Sequence, residues 1–145
     1  MDMKYSSVRL TDLPDEILMI IFQKLDNIEL LYSLMDLDPR LDGILNESIF
    51  TNRLVLFRFI SHRLINPTYI LPYYVYPLLD PILDRFCERI LPKINLKVRW
   101  LDLESSSMER VLNAANYPNL FGVVIHNIEA ERALQVFSGK IFHLV

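Results

Sequence analysis

The sequence is poor in glycine and cysteine, with three glycines and one cysteine among its 145 residues. Glycine-rich phosphate-binding loops need several closely spaced glycines, so this chain cannot supply a loop of that type. A single cysteine excludes a disulfide within the chain and is typical of reducing compartments. No segment resembles a secretory signal, and the longest apolar region, 64–83, contains Asn66, Asp80 and four prolines, which excludes a lipid-spanning helix. These features predict a cytoplasmic or nuclear protein with no membrane partner.

A large net charge of either sign is also absent. The net charge is −3, and hydrophobic residues make up 52% of the chain, so we expect a folded protein with a core. A weak basic cluster (Arg53, Arg58, His62 and Arg63) lacks an arrangement that would fit a nucleic-acid groove. We therefore expect no nucleic-acid partner.

The residue types that could support catalysis or bind a metal are scattered. The histidines (His62, His126 and His143) have no neighbouring histidine or cysteine, whereas zinc ligands cluster at short spacings. Cys87 has no evident base to activate it. We expect no metal, no cofactor and no enzymatic activity. A small hydrolase stays as an alternative, and it would require a measured activity that is lost in Cys87→Ala or His126→Ala.

The most informative stretch is an apolar segment near the amino terminus. Pro14 suits the first position of a helix, and Asp15 and Glu16 place negative charge in the first turn, where the helix dipole favours it. Six apolar residues follow in succession. The stripe that one core would cover consists of Ile17, Leu18, Ile21, Phe22 and Leu25. Because Met19 and Ile20 fall largely outside this stripe, we predict that a second face is covered by a partner or by more of this chain.

This stretch resembles the start of an F-box, whose pattern is Leu-Pro-x-Glu followed by aliphatic residues. The pattern is carried by Leu13, Pro14, Glu16, Ile17, Leu18, Ile21, Phe22 and Leu25. The resemblance continues through residues 28–31 and 37–41, where leucines stand in place of the valine and tryptophan of many members.

The resemblance implies a role in protein binding. F-box proteins dock to the adaptor of a cullin-based ubiquitin ligase, the SCF complex, through the Leu-Pro start and the aliphatic helix faces. Carried over to this chain, the adaptor-binding positions are Leu13, Pro14, Ile17, Ile20, Ile21, Leu30, Leu31 and Leu37. Through the adaptor the chain would associate with cullin.

Apolar spacing predicts the elements that follow. We predict helices at 28–37 and 41–45 and favour a helix over a strand at 50–60, which together give a helical F-box domain at 8–60. The next segment, 61–92, is predicted to be a connector rich in proline and tyrosine that leads into an amphipathic helix.

Within that segment, Asp80 and Pro81 are suited to begin the amphipathic helix, and Pro92 is expected to end it. We expect Tyr73 and Tyr74 to be at least half-buried against this helix. The alternative is that these tyrosines form an exposed aromatic surface that binds a partner protein.

A repeated pattern follows, in which Val98-x-x-Leu101-x-Leu103 recurs 22 residues later as Leu120-x-x-Val123-x-Ile125 and starts again at Ile141. Residues 106–109 read as a capping box that begins a helix between the first two copies, and 130–137 read as a helix between the next two. Strand-and-helix units of ~20–29 residues are typical of leucine-rich repeats, which residues 93–145 resemble. Asp102 and Glu104 are then expected on the solvated side of their strand.

The predicted fold class is mainly α with α/β repeats: a small amino-terminal F-box helical bundle followed by the start of a leucine-rich-repeat-like solenoid. We expect the repeat array to be incomplete, since a solenoid needs ~3 repeats and a cap. The resemblance implies the substrate-recognition subunit of an SCF-type ubiquitin ligase, with an unknown target protein on the repeat region. The alternative is a non-catalytic interaction scaffold that acts outside a ligase.

Overall fold

The protein is described here by a computed structural model that covers residues 7–61, 73–128 and 142–144. The amino-terminal part is helical. After a 3₁₀ turn at Leu10–Asp12 come α1 (Asp15–Phe22), α2 (Asn27–Leu34), α3 (Pro39–Leu45) and α4 (Ser48–Thr51). The first three helices confirm the predicted ones. From the sequence we expect α1 to end at Leu25 and α2 at Leu37, and each ends three residues earlier, at Phe22 and Leu34.

Aspartates begin two of these helices. The Asp26 carboxylate accepts a hydrogen bond from the Ile28 amide at 2.8 Å, and the Asp38 carboxylate accepts one from the Arg40 amide at 2.7 Å. Each carboxylate satisfies an amide that has no partner within its helix and complements the positive end of the helix dipole. The short helices α2 and α3 are therefore fixed at their first turns.

The described residues that follow contribute five strands to one mixed sheet. They are β1 (Arg53–Ser61), β2 (Tyr73–Pro77), β3 (Trp100–Glu104), β4 (Gly122–His126) and β5 (Phe142–Leu144). Their spatial order is β2-β1-β3-β4-β5. The strands β1, β3, β4 and β5 are parallel, and β2 runs antiparallel to β1.

Helices lie between β2 and β3 and between β3 and β4. The crossover from β1 and β2 to β3 contains α5 (Asp80–Arg85), a π-helical turn (Phe86–Ile90) and α6 (Leu91–Ile94), and α7 (Met108–Ala114) connects β3 to β4. The prediction that Pro92 ends this helix is wrong, because the chain stays helical to Ile94. Pro92 lacks an amide hydrogen, and the wider π turn before it accommodates the missing bond.

One side of the sheet packs on the helices and forms a continuous core. Leu54, Leu101 and Val123 lie side by side in register on neighbouring strands and are at most 1% exposed. The same core cluster includes Leu18 of α1 and Phe86 of the π turn. The amino-terminal helices and the sheet therefore share one apolar interior.

This architecture overturns the predicted fold class. The protein is a compact mixed α/β structure, and it contains no clear repeat solenoid in the part that the structure describes. In a solenoid each repeat contacts only its neighbours, whereas here one core cluster spans Leu18 to Ile125, and β2 is antiparallel. The unit formed by β3, α7 and β4 does occur, with a 22-residue register such as Leu101 opposite Val123.

The predicted helix at 50–60 is also wrong. Most of this segment is β1, in which Leu54 and Leu56 are fully buried while Val55 between them is half-buried. That alternation has the period of a strand, and pairing with β3 outweighs the weak local preference.

Helix α5 is fastened to the end of α2 by Arg85. Its Nε donates to the Tyr32 carbonyl at 3.0 Å, and its Nη2 donates to the Met35 carbonyl at 2.8 Å. The guanidinium also lies 5.6 Å from the centroid of the Tyr32 ring, a cation–π distance. The last carbonyls of a helix lack hydrogen-bond partners within that helix, and the Arg85 guanidinium supplies donors to the two carbonyls at the end of α2.

Several predictions lie outside the described residues. They are the helix at 130–137, the connector at 62–72, and the burial of the Tyr73 and Tyr74 side chains.

Candidate docking surface

The two faces of α1 have different environments. Leu18 and Phe22 are buried, at 0% and 1% exposure, and Phe22 meets the Phe50 ring edge-on at 6.2 Å between centroids. Ile17, Ile20 and Ile21 are 43%, 55% and 36% exposed. An eight-residue helix with three adjacent, partly exposed isoleucines presents more apolar surface than its own core covers.

The buried face of α1 therefore differs from the stripe expected from the sequence. That stripe placed Ile17 and Ile21 in the core and Met19 outside it. In the structure, Met19 packs against the core cluster, and the two isoleucines do not belong to the cluster. We call Ile17, Ile20, Ile21, Leu25 and Leu10 the α1 surface.

A groove continues the α1 surface toward α2. Its volume is about 290 Å³. It is lined by Leu10, Ile21, Phe22, Leu25, Glu29, Leu30, Ser33 and Leu34. Most of this lining is apolar, and Glu29 and Ser33 supply polar atoms on one wall. The groove offers a cleft into which an apolar side chain of another protein could insert.

The Leu13-Pro14 corner is held in place by one side chain, Arg40. Its Nε donates to Asp15 Oδ1 at 2.6 Å, its Nη1 donates to the Thr11 carbonyl at 2.7 Å, and its Nη2 donates to the Leu13 carbonyl. Three donors in a fixed planar fork thus bind three oxygens on both sides of Pro14. This network fixes how the chain turns into α1.

The predicted adaptor-binding residues are partly brought together. Leu13 is half-buried and Pro14 is exposed at the start of α1, beside the three isoleucines. Leu30 is buried but lines the groove floor, and Leu31 is fully buried in the core, where it supports α2. Leu37 is 67% exposed and does not line the groove.

Sequence reasoning missed Leu10, Leu25 and Arg40 as members or supports of this surface. Leu25 carried a signal, since it belongs to the apolar stripe expected from the sequence. Leu10 lies among polar residues before the Leu13-Pro14 corner. Arg40 carried none, because its partners are 25 to 29 residues away in the chain.

Comparison of the sequence with models of protein families gives no match. No match is found among curated proteins either. The F-box resemblance therefore rests on the residues quoted above.

The acidic pair on β3 is buried, contrary to the prediction. Asp102 and Glu104 were predicted to be solvated, but they are 7% and 6% exposed. Asp102 Oδ2 accepts a hydrogen bond from Arg53 Nη2 at 2.7 Å, while Oδ1 is buried and has no hydrogen-bond partner among the described residues. The Glu104 carboxylate accepts bonds from the amide (2.9 Å) and hydroxyl of Ser106. Glu104 therefore caps the turn after β3.

The capping box predicted for the next helix is not formed. Ser107 is the residue before α7, but its hydroxyl donates to the Glu104 carbonyl at 3.0 Å rather than capping α7.

The other candidate catalytic residues have structural neighbours. The His126 ring lies edge-on to Phe57 at 4.7 Å between centroids. Burial raises the pKa of the Cys87 thiol; nearby Arg110 lowers it by a smaller amount. Burial likewise raises the pKa of Tyr117, whose hydroxyl donates to the Val111 carbonyl at 2.6 Å. A thiol with a raised pKa is a poor nucleophile at neutral pH.

Among the residues that the structure describes, no helix is long and apolar enough to cross a membrane. No three histidine, cysteine or acidic side chains within those ranges are grouped so that they could hold a metal ion.

Proposed function

We propose that this chain is a non-catalytic docking protein of the F-box kind, the substrate-recognition subunit of an SCF-type cullin-RING ubiquitin ligase. The α1 surface is the part that binds the SCF adaptor. The observation that carries the proposal is the division of α1, in which Leu18 and Phe22 are buried while Ile20 and its isoleucine neighbours are exposed. The Leu13-Pro14 corner stands at the start of the same surface.

The free energy of binding to the adaptor requires contributions from the whole α1 surface. Complete burial of an aliphatic side chain contributes ~1.5–3 kcal/mol, and side chains that are already about half covered contribute roughly half of that. Association costs an estimated ~4–15 kcal/mol in lost freedom of motion. Three isoleucines alone reach only the lower end of that cost. Leu10, Leu25 and the groove between α1 and α2 must therefore take part.

The mechanism is proximity. The adaptor connects this chain to cullin, and the surfaces from β1 onward hold a target protein beside the ligase machinery. Bringing the target's lysines to the ligase raises their effective concentration. The ligase forms the bond between ubiquitin and the target, and this chain selects the target and positions it.

The direct test is a titration of the full chain with purified SCF adaptor. Ile20→Lys should weaken binding by about tenfold or more, because it places a charge in the apolar contact. Its matched control is Ile49→Lys, since Ile49 is also a helical isoleucine, is 53% exposed against 55% for Ile20, and lies outside the α1 surface. Unchanged affinity in Ile20→Lys, or an equal loss in both variants, would contradict the proposal.

Two further measurements separate the other roles that the same surface could serve. Co-purification of the adaptor together with cullin supports a ligase subunit, whereas recovery of the adaptor alone supports a scaffold outside a ligase. Light scattering of the isolated chain tests self-association, because a dimer that Ile20→Lys dissociates would identify a second copy as the occupant.

A further inference from the structure

A second cavity, separate from the α1 surface, has a different chemical character. Its volume is about 540 Å³, and its lining consists of Ser48, Asn52, Leu96, Lys97, Arg99 and Asn119. None of these residues lines the groove beside α1. The lining contains two cations, three neutral side chains that can form hydrogen bonds, and no carboxylate. We call it the basic cavity.

Three hydrogen bonds hold the walls of the basic cavity together. The Arg99 amide donates to the Asn52 carbonyl at 2.9 Å, which joins the start of β3 to the end of α4. Asn119 Nδ2 donates to the Leu96 carbonyl at 2.7 Å, and the Phe121 amide donates to the Arg99 carbonyl at 2.7 Å. Separate segments of the chain are thus fixed around one concave space before any ligand arrives.

The two cations of the cavity are both exposed to solvent. Within the described residues, Lys97 and Arg99 form no ion pair, whereas Arg40, Arg53, Lys93 and Arg110 each do. Two like charges line one cavity in a chain whose net charge is −3. An anion placed between them would be attracted by both, with no nearby carboxylate in the lining to oppose it.

We propose that the basic cavity binds a phosphate monoester. A phosphate monoester carries about −1.5 to −2 charges at pH 7 and three strong acceptor oxygens, which matches the two cations and the Ser48 and Asn52 side chains. The arginine fork binds two phosphate oxygens at once, and the lysine adds a point charge. A carboxylate has one charge and two oxygens, so it satisfies fewer of these donors.

Leu96 distinguishes an organic phosphate from the bare ion. Its side chain lines the cavity and is 62% exposed. The carbon skeleton of a monoester would cover this apolar wall, and the cavity is larger than a phosphate group alone requires. The phosphate can be carried by a small molecule or by a phosphorylated side chain, since both present the same chemistry.

The test is a calorimetric titration of the full chain with phenyl phosphate, using benzoate as the carboxylate comparison. We expect saturable binding of phenyl phosphate and weaker binding of benzoate. Lys97→Gln and Arg99→Gln should each lower the affinity for phenyl phosphate by about tenfold. The controls with matched charge are Lys24→Gln and Arg89→Gln, which are exposed and do not line the cavity. They should leave binding unchanged.

Each remaining outcome has a defined meaning. Absence of saturable phenyl phosphate binding, equal binding of benzoate, or an equal loss in the control variants would overturn the proposal. A phosphoserine peptide that binds more tightly than both its unphosphorylated form and phenyl phosphate would identify a phosphorylated protein as the source. Tighter binding of phenyl phosphate than of the peptide would identify a small molecule. Thermal melting of all four variants should match the native chain, because these side chains are exposed and unpaired within the described residues.

Discussion

The Nε atom of Arg40 donates a hydrogen bond to Asp15 Oδ1 at 2.6 Å, across 25 residues of chain. The same guanidinium also binds the Thr11 and Leu13 carbonyls. Arg40 lies in the first turn of α3, and its three partners lie around Pro14. The position of the corner before α1 is therefore set by a helix that follows it in the sequence.

Replacing Arg40 by alanine should lower the free energy of unfolding by about 1 kcal/mol, because the pair is solvent-exposed and screened. Arg40→Lys should recover part of this loss, since a lysine keeps the charge but cannot bind three oxygens as a fork. Urea unfolding followed by circular dichroism measures both values. Arg89→Ala, at an exposed arginine without a bonded partner in the described part of the chain, is the control and should be neutral. Identical urea midpoints for Arg40→Ala and Arg89→Ala would contradict the role of the network.

Gly122 lies directly opposite Trp100 in the parallel pair of β3 and β4. A Cβ at position 122 would lie within 2.8 Å of three carbons of the Trp100 ring. Gly122→Ala should therefore destabilise the protein by about 1–3 kcal/mol through overpacking. Thermal or urea unfolding gives the measurement.

Gly43 is the internal control for this prediction. A Cβ there would meet nothing within 4 Å, and the residue lies inside α3. Gly43→Ala should raise the stability by about 0.5–1 kcal/mol, because alanine loses less backbone freedom than glycine when the helix forms. If both alanine variants shift stability in the same direction, the packing argument at Gly122 fails.

Leu18 and Ile17 are neighbours on α1 with opposite environments, 0% and 43% exposed. Leu18→Ala should cost about 2–5 kcal/mol, since it leaves a cavity in the core. Ile17→Ala should change the stability by less than about 1 kcal/mol while still weakening adaptor binding. Unfolding titrations of the two variants should differ accordingly, and equal losses would mean that α1 packs differently.

Asp42 should give the protein a measurable dependence of stability on pH. Burial, and secondarily the nearby Asp38 carboxylate, raise the pKa of Asp42 above its ordinary value of 3.8. Between 3.8 and the raised value, the folded state holds a proton that the unfolded state has released, so the contribution of Asp42 to stability falls as the pH rises through this window.

The matching variant is Asp42→Asn, whose amide oxygen can still accept the hydrogen bond from the Asp36 amide that Asp42 Oδ1 accepts at 2.8 Å. The asparagine variant should gain stability relative to the native chain as the pH rises through the window, with the smallest difference below pH 3.8. Unfolding measured at a series of pH values tests this. A difference that shrinks with rising pH would show that the sign is wrong.

Local sequence signals were sufficient for the amino-terminal helices. Pro14, Asp15 and Glu16 predicted α1, and apolar spacing predicted α2 and α3. The starts of α2 and α3, which Asp26 and Asp38 cap, were predicted one and two residues too late. The 22-residue spacing of the repeated pattern was also informative, because it equals the register between β3 and β4.

The features that sequence could not supply depend on distant residues. Segment 53–61 is a strand because β2 and β3 pair with it, and nothing within the segment itself distinguished a strand from a helix. The burial of Asp102 depends on Arg53, 49 residues away. In the candidate site, the aliphatic residues of α1 were visible in the sequence, but their division between core and surface was set by packing against partners such as Phe50.

The attachment of Arg85 to Tyr32 and Met35 has a mechanical consequence. The end of α2, close to the groove, and the start of the crossover that leads into the sheet are joined by two hydrogen bonds and a stacked ring. Bending at this junction would break all three contacts together. A protein bound to the sheet would therefore be held at a fixed angle to a protein bound to α1.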